Sequence, residues 1–134
     1  MSNRIEERNG QRLLVLEDTG PLLARVQDIL DLIAEAPLQH VDAIVVPVAR
    51  LDPAFFRLRS GLAGEFVQKI VNYRRRLAVI GDISAFTAAS TAFADFVRES
   101  NRGRNVFFVP DLDALAARLA AHAAESQDQH LTTD

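Results

Sequence analysis

Val41-Asp42-Ala43-Ile44-Val45-Val46, the stretch from Ser60-Gly61-Leu62 to Tyr73-Arg74, and Leu77-Ala78-Val79-Ile80 together decide the fold of this 134-residue chain. The two short runs are nearly continuous in apolar, β-branched character, as strands covered on both faces are. Between them Leu62, Phe66, Ile70 and Tyr73 recur at helical spacing, which predicts a helix with these four residues as its inward stripe. A strand, a helix and a second strand in that order imply a right-handed crossover and a parallel pairing.

The same alternation continues in both directions. Toward the N-terminus, Leu22, Leu23, Val26, Ile29, Leu30 and Ile33 predict a helix from Pro21 to Ala36, opened by Pro21 and ended by Pro37. Before it, Asn9-Gly10 separates Ile5 from Leu13-Leu14-Val15-Leu16, the signature of a tight hairpin. Toward the C-terminus, Asp52-Pro53 starts a short helical turn through Phe55 and Phe56. Gly81-Asp82 stops the second strand, and a helical segment carrying Phe86, Phe93, Phe96 and Val97 runs to Gly103, where a left-handed stop is expected. Asn105-Val106-Phe107-Phe108-Val109 reads as the last strand, and Pro110-Asp111 opens a final helix with Leu112, Leu115 and Leu119 on one face. The expectation is one α/β domain over residues 1–124, with a mixed, mainly parallel sheet of about five strands, an N-terminal hairpin and about four helices. Residues 125–134 read as a polar, disordered tail.

Composition narrows the functions open to such a domain. Fifteen Lys and Arg against eighteen Asp and Glu leave a formal net charge of −3, with no overall basic excess to attract nucleic acid. With no cysteine, disulfides, thiolate chemistry and thiolate metal sites are excluded, which fits a reducing compartment. The polar segment Ser2 to Arg12 makes neither a signal peptide nor an anchor, and no apolar run is long enough to span a membrane, so a cytoplasmic location is expected. His40, His122 and His130 lack the spacing of metal ligands, and no cofactor is implied. Nucleotide-binding glycine motifs and the Gly-x-Ser-x-Gly elbow are absent. Asp18-Thr19-Gly20 has the letters of an aspartic-protease tripeptide, but it leads into Pro21 and an amphipathic helix rather than a β domain. Helix capping is the better reading of it. No catalytic residue is assigned.

The candidate functional residues lie on and around the central helix. Gly61, Gly64, Glu65, Gln68 and Asn72 fall on or near the face opposite the apolar stripe, where two glycines allow close approach. Ser60 stands at the helix entrance with Arg57 and Arg59 just upstream, a combination suited to an anion or a phosphorylated hydroxyl. Ser60 acting simply as a cap is the plainer alternative. Arg74-Arg75-Arg76 suits the negative end of the same helix. Asp82, with Ser84 beyond it, sits at the carboxyl end of a parallel strand, where open α/β sheets bind ligands. Asn101, in Glu99-Ser100-Asn101, is a polar group of a last helical turn. Asp82 and Asn101 can each equally serve local turns.

Gly61-Leu62-Ala63-Gly64-Glu65, Gln68-Lys69, Asn72-Tyr73-Arg74, Ala78-Val79-Ile80-Gly81-Asp82 and Glu99-Ser100-Asn101 resemble, in order and spacing, the family called domain of unknown function 4180. More remotely, Ser60-Gly61-Leu62 after a strand resembles the Ser-Gly-Leu segment of STAS domains of the anti-sigma-factor antagonist type, and so does the order hairpin, helix, strand, Ser-Gly-Leu helix, strand, helix. That resemblance implies a STAS-like fold and a phosphorylated serine at Ser60. Arg57-Leu58-Arg59 departs from it, replacing the acidic residue and extra hydroxyl usual there. The leading expectation is a non-catalytic regulatory or protein-interaction module using the helix face from Ser60 to Asn72. The alternative is a small-molecule-binding domain or an enzyme with a polar pocket around Glu65, Gln68, Asn72, Asp82 and Asn101. A self-associating scaffold is the third. The partners expected are thus a protein, a small molecule or a second copy, and neither nucleic acid nor membrane.

Overall fold

The computed structural model describes residues 3–35 and 40–132. Strands β1 (Arg4–Arg8) and β2 (Gln11–Val15) form the hairpin, and β3 (Ala43–Pro47), β4 (Leu77–Ile80) and β5 (Val106–Val109) complete the sheet. Asn9 and Gly10 take φ of 52° and 80°, the paired left-handed geometry that matches a two-residue turn to strand twist. Only β1 with β2 is antiparallel, and the order across the sheet is β1-β2-β3-β4-β5. The mixed, mainly parallel sheet is as the sequence predicts.

Five α-helices accompany it: α1 (Val26–Glu35), α2 (Leu62–Asn72), α3 (Ser84–Ala89), α4 (Thr91–Arg102) and α5 (Leu112–Thr132). Short 3₁₀ turns carry the chain from β3 to α2. On one face of the sheet Leu14, Ile44, Val46, Val79 and Phe108 pack with Ile29 of α1, Phe66 of α2 and Phe93 of α4. On the other, Leu13, Val15, Val45, Ala78 and Phe107 pack with Leu115 and Leu119 of α5. Strand alternation sends consecutive residues to these two cores, which explains why β3, β4 and β5 are apolar throughout. The crossover helices α1, α2 and α4 share one face because the strands are laid down in sequence order and the crossovers share one hand.

The structure corrects several boundaries. The first helix begins at Val26, not Pro21, because Leu23 is extended and forms a parallel bridge with Leu51. Its entrance is held by Asp28, which reaches back to accept the amides of Ala24 (2.8 Å) and Arg25 (3.0 Å) in the manner of a capping box. Asp18, Thr19 and Gly20 therefore cap nothing. Their loop is tied instead by the Arg50 guanidinium, which donates to the carbonyls of Pro21 (2.8 Å) and Glu17 (2.9 Å). Pro37, the expected stop of this helix, and Ala36 lie outside the described residues. The expected Phe86-to-Gly103 segment is two helices, since Ser90 is extended and its hydroxyl accepts the Phe93 amide (3.1 Å), restarting the chain as α4. Gly103 takes a negative φ of −87° rather than the left-handed stop. Tyr73 leaves the inward stripe and is 57% exposed, because α2 ends at Asn72 and Arg74 at φ 56° turns the chain away. The final helix continues to Thr132, so the boundary expected at residue 124 falls within a helix.

Asp28 supplies a pH-dependent test of the new helix entrance. Burial raises its carboxyl pKa, but the two amides and the Arg25 guanidinium more than offset this and hold it below the ordinary value. Stability from such a group is present above the unfolded-state pKa and is lost as pH falls through the folded one. Asp28→Ala should cost about 1 kcal/mol at neutral pH. In urea titrations the gap from wild type should close at pH below about 4, and a gap independent of pH would contradict this account.

Candidate functional site

The entrance to α2 is built from the turn before it. The Asp52 side chain accepts the Ala54 amide (2.9 Å), starting the 3₁₀ turn Pro53–Phe56, and Phe55 and Phe56 anchor that turn in the core. Ser60 is exposed. Its hydroxyl donates to the Ala54 carbonyl (2.6 Å) and accepts the Leu62 amide (3.2 Å), so it serves the first turn of α2 from just outside the cap. Gly61 is the cap residue at φ 81°, a conformation that favours glycine. Arg57 and Arg59 are exposed beside Ser60, as the sequence reading requires.

Along α2, Leu62, Ala63, Phe66 and Ile70 are buried, and Gly64, Glu65, Gln68, Val71 and Asn72 are exposed. Nothing lies within 4 Å of a Cβ built on Gly64, so that position is open to solvent. Val71, at 44% exposure, and Tyr73 add apolar surface at the far end of the face.

The carboxyl ends of the parallel strands form two clefts that share Gly81 and Pro110. One, of about 520 Å³, is lined by Asp82, Ile83, Ser84, Thr87 and Phe108. Asp82 is exposed and accepts the Ser84 amide (2.9 Å), and the Ser84 hydroxyl and amide lower its pKa. The other, of about 360 Å³, is lined by Arg8, Asp18, Pro47, Ile80, Asp111 and Asp113. Here Arg8 pairs with Glu6 and Asp113, which raise its pKa and, on the Glu6 side, lower that of the carboxyl. Gly81, at φ 130°, is closed off on one side by Val48, 3.0 Å from where a Cβ would sit. Neither cleft includes Glu65, Gln68 or Asn72, so the residues grouped in the pocket alternative lie on different surfaces.

Asn101 belongs to neither group. Its amide accepts the Phe108 N–H (2.8 Å) and donates to the Phe108 carbonyl (3.2 Å), occupying the open edge of β5. Sequence reasoning missed Arg8, Asp18 and Asp113 at the strand ends. Their assembly depends on the start of α5 lying beside the hairpin, with Asp113 105 positions from its partner Arg8, a placement without any local signal. Among the described residues, no three His, Asp or Glu side chains are grouped to hold a metal ion, and no helix is long and apolar enough to cross a membrane.

A family model described as domain of unknown function (DUF4180) matches residues 8–119. The match spans all of β2 to β5 and reaches the part of α5 that packs on the sheet. No curated protein and no solved structure matches the chain.

Proposed function

The chain belongs to the DUF4180 family, and from that premise we propose that it is a non-catalytic interaction module of the cytoplasm, docking a protein partner on the exposed face of α2 under control of phosphorylation at Ser60. The observation that carries this reading is the exposed α2 face itself: open at Gly64, polar at Glu65, Gln68 and Asn72, and bearing exposed Val71 and Tyr73. The order hairpin, helix, strand, Ser-Gly-Leu helix, strand, helix also supports the STAS-like reading. Phosphate at Ser60 would add roughly −1.5 to −2 charges at a helix N-terminus. The esterified oxygen would have no proton to give the Ala54 carbonyl, so the turn before α2 would change with it.

Capture from cell extract, compared among wild type, Ser60→Asp and Gly64→Trp, tests the proposal. Gly64→Trp meets open space and removes a helix-interior glycine, so it should remain folded. It is expected to lose the proteins that wild type retains, and Ser60→Asp to alter the set. Identical sets in all three overturn the reading. A second reading rests on the strand-end clefts, which lie where open α/β sheets bind small molecules.

A further inference from the structure

The surface around α2 is electrostatically unlike the rest of the chain. Between residues 57 and 76 lie Arg57, Arg59, Lys69, Arg74, Arg75 and Arg76 against a single acidic residue, Glu65, in a chain of net charge −3. The ion pairs of the described residues involve Arg4, Arg8, Arg12, Arg25, Arg98 and Arg102, all outside this segment. Arg76 donates to the Arg104 carbonyl, and Asp42, which shares a small hollow with Arg74–Arg76, accepts the Arg12 amide. Among the described residues, Arg57, Arg59, Lys69, Arg74 and Arg75 have no carboxylate partner. Arg57 and Arg59 precede the N-terminus of α2, and Arg74 and Arg75 follow its C-terminus.

We propose that the partner docked on α2 is an acidic protein segment whose carboxylates bridge these two arginine pairs. The proposal rests on the reading of α2 as the docking face and names the chemistry of what docks there. The helix between the pairs has eleven residues and is about 16 Å long, a length that an extended peptide covers in about five residues. The amides of Gln68 and Asn72 lie between, suited to peptide groups, and Val71 and Tyr73 offer apolar contact at one end. A nucleic acid presents phosphate without interruption, whereas here Glu65 stands between the cations. A membrane surface calls for bulky apolar side chains along the face, and the large exposed ones are confined to Val71 and Tyr73 at its end.

The test uses the full chain and a labelled peptide alternating Glu and Ser, long enough to span α2, against the same peptide with Gln for Glu. Anisotropy should show preference for the Glu peptide, and NMR shifts should centre on residues 57–75. Arg57→Ala combined with Arg74→Ala should weaken binding roughly three- to tenfold. Equal binding of the two peptides, shifts centred on the strand ends, or full affinity in the double variant overturns the proposal. So does tighter binding to oligothymidylate or to phosphatidylserine vesicles, or sedimentation showing α2 covered by a second copy. If Gly64→Trp blocks the peptide while the arginine variant binds as wild type, the acidic partner is wrong and the docking face stands. If Gly64→Trp changes neither peptide binding nor capture, both fall.

Discussion

Phe55→Ala is expected to destabilise the fold by about 3–5 kcal/mol, measured by urea unfolding. The Phe55 side chain is fully buried, and its ring lies 5.4 Å from that of Phe56, 5.7 Å from Phe66 and 6.3 Å from Phe108. It thus joins the turn before Ser60 to α2 and to the edge strand, and an alanine there leaves a cavity among three elements. Tyr73→Ala is the control: with its side chain largely in water, its effect should stay within about 0.5 kcal/mol. A Phe55→Ala cost below about 1.5 kcal/mol would mean that this junction collapses around the missing ring and that the α2 entrance does not depend on it.

Asn101→Leu is expected to cost about 1–3 kcal/mol, because it removes both hydrogen bonds that the side chain makes to Phe108. Asn101→Asp keeps an acceptor for the Phe108 amide but has no donor for its carbonyl, so it should lose less. Freeing the edge of β5 should also raise concentration-dependent association in light scattering. Full thermal stability in Asn101→Leu would contradict this role and return Asn101 to the set of recognition candidates.

Strands β2 to β5 were legible because the covered parallel sheet leaves an apolar run in each, and the hairpin because Asn9-Gly10 matches the turn it makes. The start of α1 was not, because its anchoring group, Asp28, follows the amides it accepts, while Pro21 and Asp18 offered a more familiar signal upstream. Tyr73 kept the helical period in sequence although the helix had already ended. What ended it is a local stop, Arg74 in left-handed conformation with the Arg75 amide donating back to the Ile70 carbonyl (2.9 Å), and an arginine does not signal that conformation as a glycine would. Within the candidate site, Ser60, Gly61 and the polar α2 face could be found from spacing along one helix. Of the two clefts, only the Asp82 and Ser84 side of one could be placed, at the end of its strand; the walls that β5 and the start of α5 supply could not, and Asn101 revealed its partner only when β5 was placed beside α4.

The division of the core between the two faces of the sheet also sets an order on biosynthesis. Strands β2 to β5 each pair with the one made just before, so the crossover layer can close progressively as the chain leaves the ribosome. The opposite layer has no such option, because its cover, Leu115 and Leu119, is translated after every strand. Until α5 emerges and docks, Leu13, Val15, Val45, Ala78 and Phe107 stand wet on one continuous surface. The nascent chain is therefore most exposed to aggregation, and most in need of a chaperone, in the interval between completion of β5 and release of its last helix.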